Sequence, residues 1–378
     1  MGTLTYSEFI AAAKSRERTA QYHILAALYV LGATTTPVSV IQISRLLQAN
    51  LPKPKLPADV NGSLRQYVGL VESRATEPRT WVLTPVGLAK LQKMCGLPLA
   101  TNATSTDFGV DVGLVCALHS PELTAFKSVC GDSVNWKEEP ANGFTHVYES
   151  CALETERGRR LTVVASTQTT MGLTSAAILT TQLIMRYRPR LVVMVGIAAG
   201  TRAGGKQFGD VLVADPSIDY NSGKLVDDNG TQRLQPDPHP VGIAKRIRAV
   251  LLRYSQDTEL FDGFRDNWKG KTPEMPNRLH VGAVGAADQV IDNPDKIKEI
   301  QLSWRKLIGL EMETYGVYRA CEESPAPSPR HVAFKAVCDF GEKKTDDWQE
   351  YAAFMAASFA VYFLRSHWEE VMDHEGVD

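Results

Sequence analysis

Cysteine is sparse. The six in this 378-residue chain form no Cys-x-x-Cys pair and stand near no histidine pair, so neither a zinc site nor a disulfide framework is supported. That usage fits a reducing, cytoplasmic setting. Long apolar runs are missing as well: no stretch approaches the roughly 20 residues that a bilayer span needs, so no membrane partner is expected. The run His23 to Ala33 behind Lys14, Arg16 and Arg18 imitates a secretory signal, but Glu8 and Glu17 spoil its basic region. No internal repeat is apparent.

Charge is balanced overall and uneven along the chain. The formal net charge is -2, with 44% of residues hydrophobic and 22% charged, yet the first hundred residues carry 11 basic against 5 acidic side chains. Two modules with different partners follow.

In the first module, Thr19 to Leu31 reads as a helix, Thr34 to Pro37 breaks it, and Val38 to Leu47 is a second amphipathic segment. A third helix follows the Asp59 cap. Two short strand-like runs come next, Leu70 to Arg74 and Thr80 to Leu83, and Thr84-Pro85 opens a closing helix as N-cap and first-turn proline. This order, with Trp81-Val82-Leu83-Thr84-Pro85 at the wing exit, resembles a winged helix-turn-helix over about residues 19–95, within an expected domain of residues 1–96. Its third helix offers only Asn61, Ser63, Arg65 and Gln66 to a groove, so docking a protein or self-association is favoured over reading DNA. Residues 97–108 are small, polar and aperiodic, which marks a linker.

Residues 109–378 alternate strand and helix: strands at Val110 to Leu118, Leu161 to Ser166, Leu191 to Val195, Val211 to Ala214, His280 to Ala286 and His331 to Cys338, with helices between them and a closing helix from Trp348 to His367. An α/β sheet covered on both faces is the expected architecture. Asn221 to Pro240, rich in Asp, Asn, Gly and Pro, reads as a long surface loop.

Small residues gather where the apolar strands end, at Met171-Gly172-Leu173 and at Gly196-Ile197-Ala198-Ala199-Gly200. Ligands of open α/β sheets bind there, because small residues let backbone approach them. Neither cluster is a dinucleotide fingerprint or a P-loop. The run Leu307 to Leu310 is strand-like and Thr314 begins a helical pattern, so Glu311 and Glu313 sit at a strand-to-helix junction.

Taken in order, Gly113 to Leu118 with Glu122, Met171-Gly172, Val195 to Gly200, Phe208-Gly209-Asp210, Gly309-Leu310-Glu311-Met312-Glu313 and Ala336-Val337-Cys338-Asp339 resemble the nucleoside phosphorylase and nucleosidase superfamily, nearest in flavour to the methylthioadenosine/S-adenosylhomocysteine nucleosidases. The tail Trp348 to Ala353 looks like the variant fused to signalling modules in immunity proteins, which implies a regulated effector in antiviral defence. The resemblance implies a three-layer α/β/α phosphorylase-like domain, cleavage of the N-glycosidic bond of a purine nucleoside or nucleotide, no metal or organic cofactor, and at least a homodimer.

Residue by residue, it implies Asp339 as the acid toward the purine, Glu313 as the ribose-hydroxyl ligand with Met312 packing on the sugar, and Glu122 as the base that activates water. Gly172 and Ala198 fall to the substrate pocket. Val290 and Ile291 match a base-contacting segment in which Val290 replaces an aromatic residue, so stacking is expected either to be weaker or to come from Tyr220 or Phe340. Glu311 is expected to face elsewhere and to be structural. Before Glu122 the chain reads one residue longer than the family pattern, which keeps His119 open as the base. The first loop lacks glycine, and Ala176 stands where a phosphorylase has a hydroxyl residue; water is therefore the expected nucleophile, with a phosphorylase, a methylthioadenosine-type nucleosidase and a nucleotide-sensing DNA regulator as alternatives. Arg202, Lys206, Lys343 and Lys344 are candidates to hold 5′-phosphates.

Overall fold

Capping side chains set the helix starts of the first hundred residues. The computed structural model describes residues 6–12, 19–33, 37–53, 59–74, 79–95, 108–141, 143–202, 204–228, 231–237, 239–341 and 346–372. The chain divides into two units, Met1–Ser105 and Thr106–Asp378. In the first, α1 (Tyr6–Ala12), α2 (Ala20–Val30), α3 (Val40–Asn50), α4 (Val60–Gln66) and α5 (Pro85–Cys95) surround strands β1 (Val38–Ser39), β2 (Val71–Arg74) and β3 (Thr80–Leu83). Ser39 and Gln42 form a capping box on α3, Asp59 accepts the Gly62 N–H at 2.9 Å, and Thr84 accepts that of Gly87 at 3.0 Å. Each of these bonds satisfies a backbone donor that a helix start leaves over. The strands pair antiparallel in the order β1-β3-β2, over a core of Ile24, Leu25, Leu28, Ile43, Leu64, Trp81 and Leu91. The expected linker falls almost wholly outside the described residues.

The second unit is built on a nine-stranded sheet. Its strands are β4 (Val110–Cys116), β5 (Lys137–Glu138), β6 (Tyr148–Glu154), β7 (Arg160–Thr167), β8 (Pro189–Gly200), β9 (Val211–Asp219), β12 (Leu279–Ala286), β13 (Leu307–Glu311) and β14 (Arg330–Asp339). β10 (Gly223–Asp228) and β11 (Thr231–Pro236) stand apart as an antiparallel ribbon. The order is β13-β12-β9-β14-β8-β4-β7-β6-β5, and β13 also pairs with β8 through Gly309 and Leu310, so five strands close on themselves. β14, β8, β4 and β7 run parallel and are largely apolar, the pattern of a sheet covered on both faces, whereas β9 joins β14 antiparallel.

Alternation along β14 shows the two layers. Phe334 packs on Phe359 and Phe363 of α12 (Gln349–Met372), whereas the next residue, Lys335, turns to the opposite side and meets the start of α11 (Thr314–Glu322). α11 lies against α7 (Leu173–Tyr187). On the other side, α12 packs with α6 (Thr124–Cys130), α8 (Lys245–Leu252) and α9 (Thr258–Arg265). The fully buried Ala352, Ala353, Ala356, Ala357 and Ala360 let the backbone of α12 approach the sheet closely. The remaining helix, α10 (Pro294–Ser303), follows β12 and is capped by Asn293.

One expectation is corrected here. Asn221 to Pro240 is not an irregular loop, because most of it forms the β10–β11 ribbon, in register from Gly223 opposite Pro236 to Asp228 opposite Thr231. A ribbon whose side chains are mostly exposed needs no apolar alternation. Asn229-Gly230 between two runs of equal length carried the hairpin signal instead.

Candidate active site

The carboxyl ends of β4, β8, β13 and β14 converge on a cavity of about 340 Å³. Its wall includes Glu122, Ala198, Val290, Ile291, Met312, Glu313 and Asp339. Glu122 is 1% exposed and sits in a wide π-type turn, His119–Leu123. Its Oε2 accepts the N–H groups of Ala117 (2.7 Å) and Leu118 (2.9 Å), and its Oε1 accepts that of Ile197 (2.9 Å). Burial pushes this carboxyl above its ordinary value, with the Lys335 ammonium opposing. His119 is exposed and is not on the wall.

Glu313 is held from two sides. Gly172 N–H donates to Oε1 at 3.3 Å, and Lys335 Nζ donates to Oε2 at 3.1 Å. Gly172 thus reaches the cavity through this bond and is absent from the wall itself. Glu311 differs from expectation, since it lines the same cavity. It also accepts the N–H groups of Glu313 (2.9 Å) and Thr314 (2.9 and 3.0 Å), which anchors the first turn of α11. Burial, against the pull of Lys335 and with Glu313 adding, raises its carboxyl to about 7.

Lys335 is the residue that the sequence reading missed. It is 2% exposed, with Nζ 3.1 Å from Glu313 and 3.6 Å from Glu311. Burial works against its charge, yet Glu313, Glu122 and Glu311 outweigh it and hold the amine well above its ordinary value. Gly196 makes the packing possible: a Cβ there would lie 2.2 Å from Glu122 Oε1 and 3.0 Å from Lys335 Nζ. The visible signal was one lysine inside the otherwise apolar run His331 to Cys338.

Asp339 ends β14, and the Gly341 N–H fixes its Oδ1 at 2.7 Å. Phe340 turns the other way. It packs edge-on to Phe208 at 5.2 Å and lies beneath the Arg202 guanidinium at 4.6 Å, off the cavity wall. Tyr220 is likewise off the wall, buried among Ile218, Ile300 and Leu310. The apolar wall comes instead from Ile197, Ala198, Val290, Ile291 and Met312. Arg202 and Lys206 are not on it, and Lys343 and Lys344 lie outside the described residues. Among the described residues, no three acidic, His or Cys side chains are placed to hold a metal ion.

The order of these motifs and the geometry they build have a counterpart among known proteins, because residues 111–359 match the sequence profile of the Phosphorylase superfamily. The chain belongs to that superfamily. Within reach of this superfamily member are uncharacterized protein y4jS of Sinorhizobium fredii (strain NBRC 101917 / NGR234), 30% identical over 67% of this chain and 60% of that one, and ATP nucleosidase Cap17 of Escherichia coli (strain KTE188), 26% identical over 65% of this chain and 50% of that one. The chain therefore spans 60% and 50% of these two relatives' lengths. Futalosine hydrolase of Helicobacter pylori strain 26695 shares the superfamily fold, with a TM-score of 0.51 and 16% identity over 68% of this chain and 97% of that structure. Among the described residues, no helix is long and apolar enough to cross a membrane.

Proposed function

We propose that this chain is an N-glycosidase that hydrolyses the bond between a purine and its ribose. The observation that carries the reading is the convergence of Glu122, Glu313 and Asp339, from three distant parts of the chain, on one cavity that also holds Met312. Breaking such a bond develops positive charge on the sugar and negative charge on the base, so carboxylates around the sugar and an acid at the base are the groups required. Asp339 gives a proton to the leaving purine. Glu313, held between Gly172 N–H and Lys335, is positioned to bind ribose hydroxyls as charge grows on the ring. A carboxylate has about four lone-pair directions, and three of those on Glu122 are taken by backbone N–H groups. The remaining capacity is what a general base needs to accept from the attacking water.

Water is favoured over phosphate because the cavity wall carries Glu122, Glu311, Glu313, Asp339 and Asp346 and, among the described residues, no arginine or lysine. An anion needs donors it can reach. The same wall suits an uncharged base and sugar, and the phosphates of a nucleotide would extend beyond it. A nucleotide substrate is the second reading, supported by the similarity to an ATP nucleosidase over 65% of this chain. The regulated, antiviral role and control by the N-terminal unit through self-association or protein docking complete the proposal; the spread of basic residues away from α4, where Arg65 stands alone, supports docking over DNA reading.

The deciding experiment incubates the protein with adenosine, methylthioadenosine, AMP and ATP, with and without phosphate, and follows free base by chromatography. Base and free sugar should form without phosphate. Base release that requires phosphate and yields the sugar 1-phosphate would overturn the reading, and the preferred substrate decides the 5′ substituent.

A further inference from the structure

A second cavity, of about 390 Å³, lies between the β10–β11 ribbon and α10, away from the carboxylate cleft. Its volume is close to that of the cleft, so it admits a molecule of similar size. Its walls combine two kinds of surface. Trp304, Tyr220, Leu234 and Ile300 supply aromatic and aliphatic area, and Leu302, 87% exposed, is an apolar side chain left facing water at this site. Arg233 and Lys296 supply positive charge, but Glu299 accepts a hydrogen bond from Lys296 at 3.0 Å and offsets one of the two. One net positive charge beside an aromatic wall matches a ring that carries a single negative charge. A polyanion would meet Glu299 as a repulsive neighbour.

The cavity shares a wall with the cleft. Tyr220 and Ile300 belong to one small core with Ile297 and Leu310, against which Ile291 packs. Leu310, Ile291 and Gly341 line the cleft on the other side of that core. Contact there is tight, since a Cβ on Gly341 would lie 2.3 Å from Cδ1 of Ile297. A close-packed layer of this kind transmits displacement of α10 to the cleft wall.

We propose that this cavity is a second ligand site, selective for an aromatic monoanion of roughly nucleoside size, whose occupancy adjusts the neighbouring cleft. The binding claim stands apart from the nucleosidase reading, because it needs no turnover.

The probe is 8-anilinonaphthalene-1-sulfonate, a fused aromatic ring with one sulfonate, titrated into the full-length chain by fluorescence. Ser303→Trp fills the cavity from an exposed position, Arg233→Glu reverses its charge, and Met312→Ala alters only the cleft. Saturable binding should weaken about tenfold or more in Ser303→Trp and in Arg233→Glu, and persist in Met312→Ala. In the unaltered chain the probe should also shift the KM for base release, and Ser303→Trp should abolish that shift. Titrations unchanged by both cavity variants, or lost only in Met312→Ala, would overturn the proposal. If no substrate is turned over, the binding titrations still decide the site, and only the nucleosidase reading falls.

Discussion

Replacing Lys335 with methionine removes the buried cation that faces Glu122, Glu311 and Glu313 while keeping an unbranched chain of similar length, so packing changes little. Nζ lies 3.1 Å from Glu313 and 3.6 Å from Glu311, with the side chain 2% exposed. Removing one partner of a buried pair costs about 3–5 kcal/mol, and two partners within reach place this case toward the upper end. At about 2–4 °C per kcal/mol for a domain of this class, the unfolding midpoint of the catalytic unit should fall by roughly 10 °C or more. The loss should depend on pH with a definite sign. Without the ammonium, Glu311 loses the opposite charge that offsets its burial beside Glu313, and its folded-state pKa rises further above the unfolded one. A carboxyl raised in this way contributes stability that is present below its unfolded pKa and is lost as pH rises through the folded one. The gap between variant and parent should therefore be small near pH 5 and largest at pH 8. Glu311 shows the same sign in the parent, raised to about 7 by burial against Lys335, so its own contribution already declines between its ordinary value and about 7. Thermal unfolding of both proteins by circular dichroism at pH 5, 6.5 and 8 measures this. A midpoint difference that is absent, or equal at all three pH values, refutes the assignment of a buried charge cluster.

Three further outcomes are expected. Asp339→Asn should fold normally and cut turnover by about a hundredfold or more; base release at the parental rate from the folded variant would remove Asp339 as the acid. Glu313→Gln should lower kcat more than it weakens ground-state binding, and 2′-deoxy substrates should show a matching loss, whereas equal ribo and 2′-deoxy rates in an active variant would take Glu313 off the sugar. Gly196→Ala places a methyl 2.2 Å from Glu122 Oε1 and should displace that carboxylate, costing about 1–3 kcal/mol together with most activity; unaltered turnover would show that Glu122 is not the base.

Much of the fold was legible because the central strands are buried on both faces and read as largely apolar runs. The cleft was legible where carboxylates and small residues break those runs at Gly196, Glu313 and Asp339. Lys335 escaped because attention to the ends of β14 passed over a charge in its middle, although a lysine in a doubly covered strand is tolerable only if opposite charges meet it. Glu311 was set apart from Glu313, yet strand alternation puts residues two apart on one face; it lines the cavity while it also anchors the first turn of α11. Phe340 was expected to stack on the base in place of the aromatic residue that Val290 replaces. The turn at Gly341, with φ at +67°, and the packing of the ring on Phe208 carry it away. The ribbon was missed because it has no buried face to impose alternation.

The pairing of β13 with both β12 and β8 has a consequence for solubility. An open sheet of nine strands would present two rows of unpaired backbone groups, each a template for another chain. Here one end of the order is closed by its own return to β8, and the other ends in β5, two residues long, with Lys137 and Glu138 both exposed. A short, charged border strand is a poor surface for intermolecular pairing, and so a large mixed sheet is kept from recruiting its neighbours.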